Sequence, residues 1–210
     1  MNTSNKLTIM RIVLSVIIIV ILMLPFETLG LNLPKLFVNE LIVIDVKYIF
    51  AGILFIIAAI TDILDGIIAR KRNCVTELGK ILDAIADKIL VNPILIVLSA
   101  TGFVHPIIPV VVIARDIFVD SFKMIMITKK IDVGAIKVGK VKTVFMMLGI
   151  IFTLFYNMPF ETMNIKISDF LLIIATTLSV VSAVQYYNIM KKSIVKEEVM
   201  NIFDDEVKSA

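Results

Sequence analysis

Apolar residues gather in six long stretches, near residues 7–25, 47–69, 81–101, 106–127, 141–158 and 167–190. A helix crosses the hydrocarbon core of a bilayer in about 20 residues, so each stretch is of spanning length. Between them stand Pro25, Leu33-Pro34, Lys71-Arg72-Asn73, Gly102, Pro106, Lys129-Lys130 and Asn157-Met158-Pro159, all residue types that punctuate helices. Transmembrane strands would be about ten residues long with strict alternation, and none of these stretches alternates. No internal repeat and no Gly/Ser- or Pro-rich linker divides the chain. The pattern predicts an all-α integral membrane protein, a six-transmembrane-helix bundle over residues 1–190. A charged cytoplasmic tail over residues 191–210, mixing Lys196, Glu197, Glu198, Asp204, Asp205 and Glu206, is expected to be a solvated helix or a frayed end.

Composition sharpens this. The chain has 210 residues, of which 59% are hydrophobic, and a mean hydropathy of +1.00; globular proteins average roughly 45–50% apolar. A soluble domain of this size buries only about 70% of its unfolded surface and could not hide the excess. That excludes a soluble enzyme, a disordered chain and a disulfide scaffold; the lone Cys74 has no intrachain partner. Arg11 inside the first stretch, with no small-residue cleavage site before Pro25, reads as a retained helix rather than a signal peptide.

The net charge of +3 conceals an asymmetry. The loops after the first, third and fifth stretches carry only Lys35, Lys47 and Lys166. The other side carries Lys6, Arg11, Arg70, Lys71, Arg72, Lys80, Lys129, Lys130, Lys137, Lys140, Lys142, Lys191, Lys192, Lys196 and Lys208. By the positive-inside rule that side is cytoplasmic, and both termini lie on it. A multi-pass membrane protein is expected. Such a face sets topology; it also attracts anionic headgroups or phosphorylated substrates. No nucleic-acid partner is expected, and His105, with no companion His or Cys, is not expected to bind metal.

Four carboxylates interrupt the second and third stretches: Asp62, Asp65, Asp83 and Asp87. Each costs roughly 2.5–3.5 kcal/mol at a bilayer centre, so they must sit near an interface, pair with cations or line a wet cavity. Asp62 and Asp65 are spaced i,i+3 and share a helix face; Gly79, Asp83 and Asp87 step by four along another. At about 1.5 Å per residue, Asp62 lies roughly 12 Å from Arg70, and Asp87 a similar distance from Gly79. An antiparallel pair of helices then brings all four to one level. Together they call for cations, and grouped hard oxygens select Mg²⁺, Mn²⁺ or Ca²⁺ over Zn²⁺. Gly66, Ala69 and Gly79 leave room beside them for close helix approach or for a flat ligand, and Arg70 is placed to take a phosphate.

Asp62-x₂-Asp65-Gly66-x₂-Ala69-Arg70-x₈-Gly79-x₃-Asp83-x₃-Asp87 resembles the signature of the CDP-alcohol phosphatidyltransferases with every spacing kept. Asn5-x₂-Thr8-x₂-Arg11, Ala114-Arg115-Asp116 and Gly139-Lys140-Val141-Lys142-Thr143 look like segments of the bacterial branch that uses glycerol 3-phosphate. The resemblance implies a transferase that moves a phosphatidyl group from CDP-diacylglycerol to an acceptor hydroxyl and releases CMP. It implies two divalent cations, Mg²⁺ or Mn²⁺, on Asp62, Asp65, Asp83 and Asp87, with Asp87 also taking the acceptor's proton. It implies a CDP site at Gly66, Ala69, Arg70, Thr76 and Gly79. A homodimer, common in the family, is expected.

An acceptor carrying a phosphate needs a cationic pocket, and Arg11, Arg115, Lys140 and Lys142 are the candidates. Lys140 and Lys142 also fit plain positive-inside anchoring, and Arg115 also fits an ion pair with Asp116 or Asp120. Two departures from the family pattern stand out. Ala84 follows Asp83 where Pro is common, and Asp120-Ser121-Phe122-Lys123 puts a carboxylate near the pocket. Unless Lys123 or Arg115 neutralises Asp120, it would repel a phosphate, which keeps inositol phosphate, serine or another alcohol open as acceptor. From a different class, a cation-coupled transporter also uses intramembrane carboxylates, but it favours internal repeats and sites near the midplane.

Overall fold

The computed structural model describes residues 3–26, 28–30, 34–38, 42–72, 77–129, 136–163 and 165–209. Its helices are α1 (Thr3–Met23), α2 (Val46–Arg72), α3 (Glu77–Ala100), α4 (Ile107–Thr128), α5 (Lys137–Leu154) and α6 (Ile167–Ser209). Each coincides with one of the apolar stretches. Three contain segments long and apolar enough to cross a membrane: Lys6–Met23, Val46–Leu64 and Ile167–Ile194.

One feature departs from expectation. The chain is not purely α-helical, because strands β1 (Lys35–Val38) and β2 (Ile42–Asp45) pair antiparallel, with Lys35 opposite Asp45. Their Phe, Val and Ile content favours a pleated surface. The tail is continuous with the last apolar stretch: α6 runs 43 residues without a break. At about 1.5 Å per residue that is far longer than the roughly 30 Å that crossing a hydrocarbon core requires.

Packing divides the helices into two groups. α1 lies against both α2 and α3, while α6 lies against both α4 and α5; α2–α5 and α3–α4 contacts join the groups. Every helix contributes to one core, including Ile18, Phe55, Leu90, Ile94, Val112, Ile150 and Leu172. Outward-facing positions stay apolar (Val13, Val20, Phe50, Ile57, Val110, Phe170 and Val184 are exposed), as lipid-facing helices require.

The α5–α6 contact depends on a missing side chain. A Cβ at Gly149 would lie 2.7 Å from Leu172 Cδ2 and 3.3 Å from the Leu172 backbone nitrogen. Small residues let helix backbones approach in this way. Gly149→Ala is expected to destabilise the bundle by about 1–3 kcal/mol, as overpacking does. A lowered unfolding transition in detergent, measured against wild type, checks this.

The hairpin closes one end of the bundle. Tyr48, Phe103 and Tyr156 stack edge-on with ring centroids 4.9–5.7 Å apart, and the Asp45 backbone N–H donates to the Tyr156 hydroxyl at 3.1 Å. After α5 the chain turns through Tyr156 and Asn157, both at φ 55°. The buried Asn157 side chain holds this turn. Its amide donates to Glu161 and to the Ile165 carbonyl, and its oxygen accepts from the Ser168 backbone at the start of α6. The charged groups described next sit at the opposite end.

A polar layer at the end of the helix bundle

Moving along each helix from the hairpin end, the core gives way to a polar layer. On α2, Phe55 and Ala58 are followed by Asp62; on α4, Val112 by Arg115 and Asp116; on α6, Leu172 and Ala175 by Ser179 and Ser182. On α1, α3 and α5 the order reverses, with Arg11, Asp83 and Asp87, and Lys142 preceding the core residues. Alternating helix direction thus brings one or two polar groups from each of six helices to a common level.

The layer has two halves. In the first, a single nitrogen of Arg11, Nη1, lies 2.6 Å from Asp62 Oδ1 and 2.8 Å from Asp83 Oδ1. Arg11 is 0% exposed, whereas the Asp62 and Asp83 side chains are 31% and 54% exposed. One helix, α1, therefore supplies the cation that gathers carboxylates from both its neighbours. A buried guanidinium is costly unless paired, and two carboxylates compensate it.

In the second half, Asp116 Oδ1 accepts from Arg115 Nη1 at 2.8 Å and from Lys142 Nζ at 3.0 Å. Arg115 Nε donates to the Ser179 carbonyl at 3.1 Å, and its Nη2 donates to the Ser182 hydroxyl. Gly139 lies beside the guanidinium, where a Cβ would make an ordinary contact with Nη2 at 4.0 Å. The half-buried Asp87 stands between the two halves, in electrostatic reach of Asp62 and Asp83 on one side and of Lys142 and Asp116 on the other.

Several expected placements change. Arg11 does not join Arg115 and Lys142; it sits with the carboxylates of α2 and α3. Lys140 is exposed while Lys142 is buried, because positions two apart on a helix face different ways. Asp120 is neutralised by neither Lys123 nor Arg115 but pairs with Lys88 on α3. Lys123 instead lies over the Tyr186 ring, 5.2 Å from its centroid. Gly66 and Gly79 are part-exposed. The side chains of Asp65, Ala69 and Arg70, and all of Thr76, lie outside the described residues. Sequence reasoning gave no site role to Lys88, Ser179 or Ser182. Their one visible signal was the pair of hydroxyls, i and i+3, on one face of an otherwise apolar helix.

Among the described residues, no three His, Cys, Asp or Glu side chains come close enough together to hold an ion. The donor chemistry nevertheless fits a hard divalent cation: Asp62 and Asp83 already converge on a single positive centre, and both are carboxylates.

Long apolar helices whose buried charged groups, Arg11 and Lys142, gather at one end define a membrane protein with a polar layer. Residues 1–187 match the CDP-alcohol phosphatidyltransferase family, and the chain belongs to it. It is 35% identical over 187 residues to the CDP-diacylglycerol–glycerol-3-phosphate 3-phosphatidyltransferase of Bacillus subtilis, covering 89% of this chain and 94% of that protein. The proteins of the same name from Mycoplasma genitalium and Rickettsia bellii are 36% and 30% identical. Those matches cover 72% and 91% of this chain and 64% and 96% of the relatives.

Proposed function

We propose that the protein transfers the phosphatidyl group of CDP-diacylglycerol to the primary hydroxyl of glycerol 3-phosphate, releasing CMP and forming phosphatidylglycerol phosphate. The observation that carries this reading is the position of Asp87, between the carboxylates gathered by Arg11 and the cations Arg115 and Lys142. A base belongs there, with the donor's pyrophosphate on one side and the acceptor's phosphate on the other. The names of the relatives agree with both substrates. The Lys88–Asp120 pair supports the phosphorylated acceptor, because it removes the repulsion that a bare Asp120 would exert.

In the reaction the acceptor oxygen forms a bond to the phosphatidyl phosphorus as the bond from that phosphorus to the CMP oxygen breaks. CMP leaves with the electron pair. Asp87 takes the acceptor's hydroxyl proton, and Arg115 and Lys142 orient the acceptor through its phosphate. Two divalent cations, Mg²⁺ or Mn²⁺, on Asp62, Asp65, Asp83 and Asp87 would neutralise the pyrophosphate and the charge developing on the leaving group. Gly66, Ala69, Arg70, Thr76 and Gly79 would receive the CDP moiety, leaving the acyl chains in the bilayer.

The same proposal places all six helices across a bacterial-type cell membrane, with both termini and the polar layer on the cytoplasmic side, in a homodimer. Its test is CMP release by the purified protein in lipid nanodiscs with Mn²⁺. Glycerol 3-phosphate is expected to support release at least about tenfold faster than inositol phosphate, serine or glycerol. Release with none of them would reject the transferase; faster release with another would replace the acceptor. Cation flux in liposomes without CMP chemistry would favour the transporter.

A further inference from the structure

We propose that Arg11 is a built-in counter-cation of the carboxylate site: its guanidinium pairs with both Asp62 and Asp83, and its charge weakens the hold on a divalent ion. The inference rests on the metal-dependent reading above and goes beyond it, because it assigns Arg11 a role toward the ion rather than toward a substrate phosphate.

Three observations carry it. One nitrogen serves both carboxylates, at 2.6 and 2.8 Å, so Arg11 bridges them as a small cation would. Its exposure is opposite to theirs: the guanidinium is sealed inside, while the Asp62 and Asp83 side chains are part-exposed. Finally, α1 packs on both α2 and α3, which fixes the backbone of Arg11 beside the two carboxylates. It stays near the ion when the ion binds.

The consequences have opposite signs. Without metal, Arg11 offsets repulsion among Asp62, Asp83 and Asp87, and the bundle end is held together. With metal, a fixed positive charge close to the ion opposes binding. The arrangement lets the protein fold before loading, at the expense of affinity, and keeps the ion exchangeable.

The experiment uses the full chain in nanodiscs, stripped with chelator and titrated with Mn²⁺ alone, followed by calorimetry and by thermal unfolding. Arg11→Gln is expected to bind Mn²⁺ about tenfold more tightly than wild type. Its metal-free transition is expected to be lower, and the Mn²⁺-induced rise in that transition larger. Arg11→Lys keeps the charge and is expected to stay within about threefold of wild type. If Arg11→Gln does not fold without metal, it is purified in Mn²⁺ and the ion removed with graded chelator; more chelator is then expected than for wild type. Equal or weaker Mn²⁺ binding by Arg11→Gln overturns the inference, as does Arg11→Lys binding as tightly as Arg11→Gln. Binding by wild type with no gain in Arg11→Gln defeats this inference alone. Binding by neither defeats the metal site as well.

Discussion

Asp87→Asn is expected to lower the rate of CMP release about 10³-fold while leaving the protein folded. The magnitude follows from the role: a positioned base contributes roughly 10²–10⁴-fold, and Asn cannot take a proton. Stability is expected to hold or rise, because Asp87 stands in reach of three other carboxylates, Asp62, Asp83 and Asp116, against one cation, Lys142. Removing a negative charge there relieves repulsion, and Asn nearly matches Asp in size. CMP release and thermal unfolding of the same preparation separate the two effects. A rate within about tenfold of wild type would take the proton from Asp87 and give it to another group.

The position of this carboxylate is legible from spacing, while its role as base is what the family resemblance implies. Asp62, Asp83 and Asp87 were found because helical periodicity converts sequence intervals into faces, and because charge in an apolar run is costly enough to need a reason. The six helices were legible for the same reason, since long apolar runs state their solvent. The hairpin of β1 and β2 was passed over because its two runs are only four residues each, shorter than the signal used to find spans. Their Leu36-Phe37-Val38 and Ile42-Val43-Ile44 content around Asn39 and Glu40 was the available hint.

Which helix lies beside which was not legible, and the site errors come from there. Depth along a helix can be counted from the sequence, but the neighbours of Arg11 depend on α1 lying against both α2 and α3, which no periodicity encodes. The partner of Asp120 is hidden for a related reason. Local spacing favours its i,i+3 partner Lys123, whereas the fold provides Lys88 from another helix and turns Lys123 onto Tyr186. Lys140 and Lys142 stand two positions apart on α5 and so face different ways, Lys142 inward and Lys140 outward.

Arg115→Ala is expected to raise KM for glycerol 3-phosphate about 100-fold with kcat changed only a few-fold. The guanidinium is already aimed before any substrate arrives. Ser179 and Ser182 on α6 and Asp116 on its own helix take one N–H from Nε, one from Nη2 and one from Nη1. A guanidinium has five such donors, so two remain for a phosphate. Two charge-assisted bonds at roughly 1.5–3 kcal/mol each more than cover the loss of about 3 kcal/mol that the KM change represents. The effect falls on KM because the phosphate is distant from the reacting phosphorus and is held alike in ground and transition states. The fold is expected to survive, since Lys142 at 3.0 Å still neutralises Asp116. Arg115→Lys keeps the charge but loses the planar fork and its bonds to α6, and is expected to fall between the two. Steady-state kinetics with varied glycerol 3-phosphate at saturating CDP-diacylglycerol reads all three proteins. An unchanged KM in Arg115→Ala would move the acceptor's phosphate to other cations, and a loss confined to kcat would place Arg115 against the donor instead.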